Sequence, residues 1–177
     1  MDAPLARTHN LAGLSPAANQ AAEAADETLA KRRDLEAALA ELSRSPVDPA
    51  ADYPELTARA AKRAELEHAV AAAAVAQAEA FCEFLRLAIV DADGKIAAAE
   101  ATQHEVSAKV RSLLVEAGFD PKDRTLSLGK SRLIAEATRE ARGRIEAAQS
   151  LRVDLENAQR GLKNAHAQLA KLAAAIA

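Results

Sequence analysis

The pattern of prolines and apolar residues along the chain predicts three helices. The prolines lie at positions 4, 16, 46, 49, 54 and 121, and proline interrupts the interior of a helix. The long stretches between them are therefore predicted to be helical, and we predict one domain overall. The predicted segments are an irregular arm (1–15), a first helix (16–44), a proline-rich linker (45–54), a long central helix (55–117), a loop (118–130) and a C-terminal helix (131–177).

Local sequence signals mark the ends of these helices. Ser15 is a candidate N-cap for the first helix, with Pro16 at the first helical position, where proline is tolerated. Asp52 is a candidate cap for the central helix. Gly118 is well placed to end that helix, because glycine adopts the left-handed conformation that terminates many helices.

Apolar and small residues recur in a heptad pattern along the central helix. Counting alternately three and four residues from Ala61 to Ala117 reaches seventeen positions, none of which is charged. This spacing is typical of helices that pack side by side in a coiled coil. A similar pattern runs along the C-terminal helix. The larger residues at these positions, called the seam residues below, are Val75, Cys82, Leu85, Ile89, Ile96, Gln103, Val106, Val110 and Leu113, followed by Leu155, Leu162, Leu169 and Leu172.

The helix lengths restrict how the helices can pack. At about 1.5 Å per residue the three helices span roughly 44, 95 and 70 Å, and short linkers make consecutive helices antiparallel neighbours. All three are then expected to overlap only around residues 70–85. The predicted fold is all-α, an elongated antiparallel three-helix coiled coil or bundle with one very long central helix.

The segment IVDADGKI, residues 89–96, offers an alternative. A turn at Asp91–Gly94 would divide the central helix and give a four-helix bundle. With Gly94 at the sixth position of a calcium loop, the acidic residues Asp91, Asp93 and Glu100 stand where ligands are expected, but Ile89 supplies no oxygen at the first position. These acids are a weak metal candidate, and the unshifted heptad pattern favours a solvated helix.

The composition predicts a thin core. Alanine occurs 48 times in 177 residues, and the aromatic residues are three Phe and one Tyr. Alanine is the strongest helix former, yet it removes little apolar area from water. We therefore expect hairpin ends that need a second subunit to cover them.

Charge is distributed unevenly along the chain. Residues 1–118 carry a net charge of −7 and residues 131–177 a net charge of +3, so the two regions could pair within a chain or between chains. Acidic residues interleave with the basic ones near the start of the C-terminal helix, and aromatics for base stacking are absent there. A protein partner is therefore favoured over a nucleic acid. The candidate contacts with an acidic partner are Lys130, Arg132, Arg139, Arg142 and Arg144.

The residues offer no set typical of catalysis. The four histidines show no ligand spacing with Cys82, the single cysteine, which also rules out an internal disulfide. We therefore predict no enzyme activity, no cofactor and no bound metal. Without an apolar signal core or a spanning segment, we expect a cytoplasmic or virion location and no membrane contact.

These features predict a non-enzymatic structural or assembly protein. It would oligomerise with itself or pack against other proteins in a larger particle such as a virion or tail. One alternative is an adaptor or chaperone that binds an acidic or helical client. The other is a coiled coil associated with nucleic acid.

Overall fold

The computed structural model describes residues 13–46, 52–120 and 132–176, and this part of the chain is an all-helical bundle without strands. Helix α1 spans Pro16–Arg44, α2 spans Tyr53–Glu116 and α3 spans Arg132–Ile176. The all-α fold class predicted from the sequence is confirmed.

Side-chain caps begin the first two helices. The hydroxyl of Ser15 accepts a hydrogen bond from the backbone N–H of Ala18 at 3.2 Å, and Pro16 follows at the start of α1. The Asp52 carboxylate accepts one from the backbone N–H of Glu55 at 3.0 Å. Each cap satisfies a donor that has no partner within its helix, so both predicted caps are confirmed.

A glycine turn ends α2. Gly118 has a φ of +83°, and its N–H donates to the carbonyl of Val115 at 2.9 Å. The N–H of Phe119 reaches back to the carbonyl of Leu114 at 3.0 Å. These bonds satisfy carbonyls at the end of the helix, as the sequence predicts for Gly118.

An arginine of α2 caps the C-terminal end of α1. The Arg59 guanidinium donates to the carbonyl of Leu42 at 2.7 Å and to that of Pro46 at 3.2 Å. It also donates to the carbonyl of Ser45. The last carbonyls of a helix lack partners within it and carry partial negative charge, so this cation satisfies them directly.

The segment 89–96 is helical. Residues Asp91–Gly94 lie inside α2, and the glycines with positive φ in the described part of the chain are Gly13 and Gly118. The turn required by the four-helix alternative is therefore not found.

The chain divides into two compact units. The first comprises Met1–Leu87 and Asp154–Ala177, and it draws on all three helices. Arg32 of α1 donates to Gln77 of α2 at 2.9 Å, and with the bonds of Arg59 this contact makes α1 antiparallel to α2. The buried side chains of this unit are Ala18, Ala22, Ala25, Ala71, Val75, Cys82, Phe84 and Leu85.

The second unit, Ala88–Val153, contains only parts of α2 and α3 among its described residues. Asp93 accepts from Arg152 at 2.6 Å and Gln103 donates to Thr138 at 3.1 Å, which makes the two helices antiparallel. Every buried side chain described in this unit is alanine: Ala88, Ala99, Ala141 and Ala148.

Replacing Gly94 with alanine is expected to raise the free energy of unfolding by about 0.5–1 kcal/mol, because glycine loses more backbone entropy in a helix than alanine does. A Cβ at this position would meet no atom within 4 Å. Urea denaturation followed by circular dichroism measures the change.

Gly118→Ala is the matched control. A Cβ there also meets nothing within 4 Å, but the φ of +83° is strained for any other residue, so this variant should be less stable. A loss of stability in Gly94→Ala would contradict a continuous helix through this segment.

Candidate interaction surfaces

The seam residues of the first unit lie at or near its core. Val75, Cys82 and Leu85 are buried. The four seam leucines of α3 are partly buried along one stripe of that helix. These side chains therefore help hold the unit together, and their role between copies of the chain stays a prediction. The four leucines are Leu155, Leu162, Leu169 and Leu172.

The seam residues of the second unit are covered less completely. Leu113, at the end of the pattern, is 55% exposed. Other large apolar side chains outside the seam are also exposed, including Leu133 at 62% and Val90 at 67%. This unit thus buries alanines and presents larger apolar groups to solvent. The seam residues that are only partly buried here are Ile89, Ile96, Gln103, Val106 and Val110.

A polar pair joins the two helices of the second unit. The Nε2 of Gln103 donates to the Oγ1 of Thr138, and the bond is partly buried. A polar group on an otherwise apolar seam favours the alignment in which its partner is present. Thr138 was not singled out from the sequence, because it lies outside the seam residues of α3, which begin at Leu155.

Cys82 is packed in the core of the first unit. The residue is only 1% exposed. Burial raises the pKa of its thiol above the ordinary value, and the nearby Glu79 carboxylate adds to this while Arg86 opposes it. A protonated, inaccessible thiol is a poor nucleophile, so the geometry supports packing as its role.

The candidate arginines of α3 fall into two groups. Arg132 pairs with Glu136 at 2.8 Å, and Arg144 pairs with Glu140 at 2.6 Å. These i,i+4 pairs were expected from the spacing, and they partly neutralise two of the candidate arginines. Lys130 lies outside the described residues.

Arg139 and Arg142 form the second group. Neither has a hydrogen-bond or ion-pair partner among the described residues, and both line a groove of about 540 Å³ along α3. Ile134 and Ala135 give this groove an apolar wall, and Glu146 adds one carboxylate. We call it the α3 groove. Two guanidinium groups one helical turn apart, neither paired with a described residue, suit a surface that carries carboxylates at the same spacing.

A smaller groove of about 350 Å³ lies in the first unit, between the three helices. Small residues, four alanines and Gly161, form much of its lining, together with Phe81 and Asn164. Its arginine, Arg32, already binds Glu36 at 2.7 Å and Gln77 at 2.9 Å. The guanidinium of Arg32 in this groove is therefore already hydrogen-bonded within the chain.

The three acidic residues that form the weak metal candidate do not lie in a loop. Asp91, Asp93 and Glu100 all lie within α2, and Asp93 pairs with Arg152 at 2.6 Å. Nowhere in the described ranges do three or more His, Cys, Asp or Glu side chains gather as a metal site would require.

Comparison with known proteins adds no relative. No family model, no curated protein and no solved structure matches this chain. In the described part of the chain, no helix combines the length and apolarity needed to cross a membrane. The case for a function therefore depends on the residues and contacts described above.

Replacing Gln103 with leucine should raise the free energy of unfolding and broaden the distribution of oligomers. Leucine buries more apolar area, but it cannot make the bond to Thr138 that favours one alignment. Chemical denaturation and sedimentation velocity measure the two effects. Gln149→Leu, at an exposed position of α3, is the control, and an unchanged oligomer distribution in Gln103→Leu would count against a specifying role.

Cys82 should make stability depend on pH in the alkaline range. Because its pKa is raised in the folded state, the folded chain favours the neutral thiol. Its contribution is present below the unfolded pKa and is lost as pH rises through the folded value. As the pH rises above about 8.5, the ordinary pKa of a thiol, the wild type should lose more unfolding free energy than Cys82→Ala. Equal slopes in denaturation series would contradict this.

Proposed function

We propose that this protein is a non-enzymatic structural or assembly component that associates with itself. In this proposal the chain forms an elongated antiparallel three-helix coiled coil with one very long central helix. Copies pack together through apolar side chains, within a larger particle such as a virion or tail.

The composition of the second unit carries this proposal. Its described buried residues are all alanine, whereas six larger apolar residues are at least 48% exposed. Burying a Val, Leu or Phe side chain contributes about 1.5–3 kcal/mol, and an alanine methyl contributes far less. A unit whose fully buried side chains are all alanine, and whose larger seam residues are only partly buried, gains little from its own core. The six exposed residues are Val90, Leu113, Val115, Phe119, Leu133 and Val153.

These exposed side chains are concentrated toward one end of the unit. Leu113, Val115 and Phe119 fall within the last turns of α2 and its glycine stop, and Leu133 lies in the first turn of α3. Exposed apolar residues scattered singly are common on monomers, but several near one another mark interaction sites. Covering them with a second chain would supply the burial that the unit lacks.

The alternative functions depend on fewer observations. An adaptor or a nucleic-acid-associated coiled coil would use the basic residues of α3, and Arg132 and Arg144 are already paired with glutamates of the same helix. The exposed apolar side chains have no role in binding a nucleic acid or an acidic client. Assembly accounts for both the alanine core and the exposed larger residues.

Light scattering on the full chain should show an oligomer, and its melting temperature should rise with protein concentration. The double variant Leu113→Ala/Leu133→Ala should weaken association roughly fivefold to tenfold per site, because each substitution removes apolar area buried between copies.

Leu56→Ala provides a matched control, since Leu56 is 44% exposed but belongs to the first unit. It should leave association unchanged. A wild-type chain that is a stable monomer at all concentrations would overturn the proposal.

A further inference from the structure

A stripe of charges on α1 complements the α3 groove. Glu23, Glu27 and Lys31 are spaced four residues apart, so they follow one another along one side of the helix. All three are exposed, and none has an ion-pair or hydrogen-bond partner among the described residues. The residues that α1 buries, Ala18 and Ala22 among them, point to the opposite side. We call these three charges the α1 stripe.

The α3 groove presents the reverse order of charge. Arg139, Arg142 and Glu146 follow one another along its length, and all three are exposed. They too have no ion-pair or hydrogen-bond partner in the described part of the chain. Gly143 lies between them, and nothing approaches within 4 Å of where its Cβ would be, which leaves room for a neighbouring helix.

The two sets also match in length. At 1.5 Å per residue the α1 stripe spans about 12 Å and the groove charges span about 10 Å. When the two helices are aligned in parallel, the two glutamates of the α1 stripe face the two arginines of the groove. The lysine of the stripe then faces the glutamate of the groove. In an antiparallel alignment Lys31 would face Arg139, and like charges would oppose each other. The geometry therefore selects one direction.

We propose that the α3 groove binds the α1 stripe of a second copy of this chain. Glu23 and Glu27 of the second copy pair with Arg139 and Arg142, and its Lys31 pairs with Glu146. The proposal rests on the self-association proposed above and names a surface through which the copies would recognise each other.

The groove fits a helix better than a phosphate backbone. Glu146 would repel a phosphate in the same groove, whereas it matches a lysine on a helical partner. Ile134 and Ala135 offer apolar contact to the side chains between the charges. Charged pairs of this kind set the direction and choice of partner more than the affinity.

A charge-swap experiment on the full chain tests the proposal. Arg139→Glu/Arg142→Glu should weaken self-association roughly 10- to 100-fold at low ionic strength, because two attractions become repulsions. Glu23→Arg/Glu27→Arg should do the same. Mixing the two variants should restore association in a 1:1 complex, measured by sedimentation velocity. Circular dichroism checks that each variant remains helical.

Lys163→Glu/Lys171→Glu is the matched control. Both lysines are exposed on α3 and have no ion-pair partner among the described residues, so this variant changes net charge equally without touching the groove. It should associate like the wild type. A mixture of the two swap variants that stays dissociated would overturn the proposal.

Other outcomes separate this inference from the proposed function. If the wild type is oligomeric and both swap variants remain so, the groove proposal is wrong while self-association stands. If the wild type is monomeric, both the groove proposal and the proposal of self-association are wrong. If the wild type binds duplex DNA and Arg139→Glu/Arg142→Glu abolishes that binding without changing assembly, the groove serves nucleic acid and the proposal is overturned.

Discussion

The small size of the alanine side chain is the constraint on which this structure depends. Alanine allows long helices to form and lets neighbouring helices approach closely, but it contributes little burial per residue. The largest fully buried side chains, Cys82, Phe84 and Leu85, belong to the unit to which all three helices contribute. In the unit to which α2 and α3 contribute, the buried positions among the described residues hold alanine alone.

Much of the fold could be predicted because its determinants are local. A cap such as Ser15 or Asp52 acts on a backbone group three residues away, and Gly118 acts within one turn. The heptad pattern that runs through Gly94 can likewise be recognised from residues only three or four positions apart. The positions of the prolines indicate where the helices begin and end, because proline interrupts the interior of a helix. These features led to the all-helical class without knowledge of tertiary contacts.

The interaction surfaces could be predicted less well, because they depend on residues distant in sequence. The pairing of Arg132 with Glu136 follows from spacing, but the bond between Gln103 and Thr138 requires the alignment of two helices. Nor does sequence alone show that Arg139 and Arg142 share a groove. Leu113 fits the heptad pattern as well as Leu85 does, yet one is exposed and the other buried.

The contact between Arg59 and the end of α1 bears on the order in which the chain folds. Its bonds join residues only 13 to 17 positions apart, so closing the intervening loop costs little chain entropy. Contacts of low sequence separation favour rapid folding. The hairpin of α1 and the start of α2 is thus suited to form early, giving the returning α3 a preformed surface on which to pack.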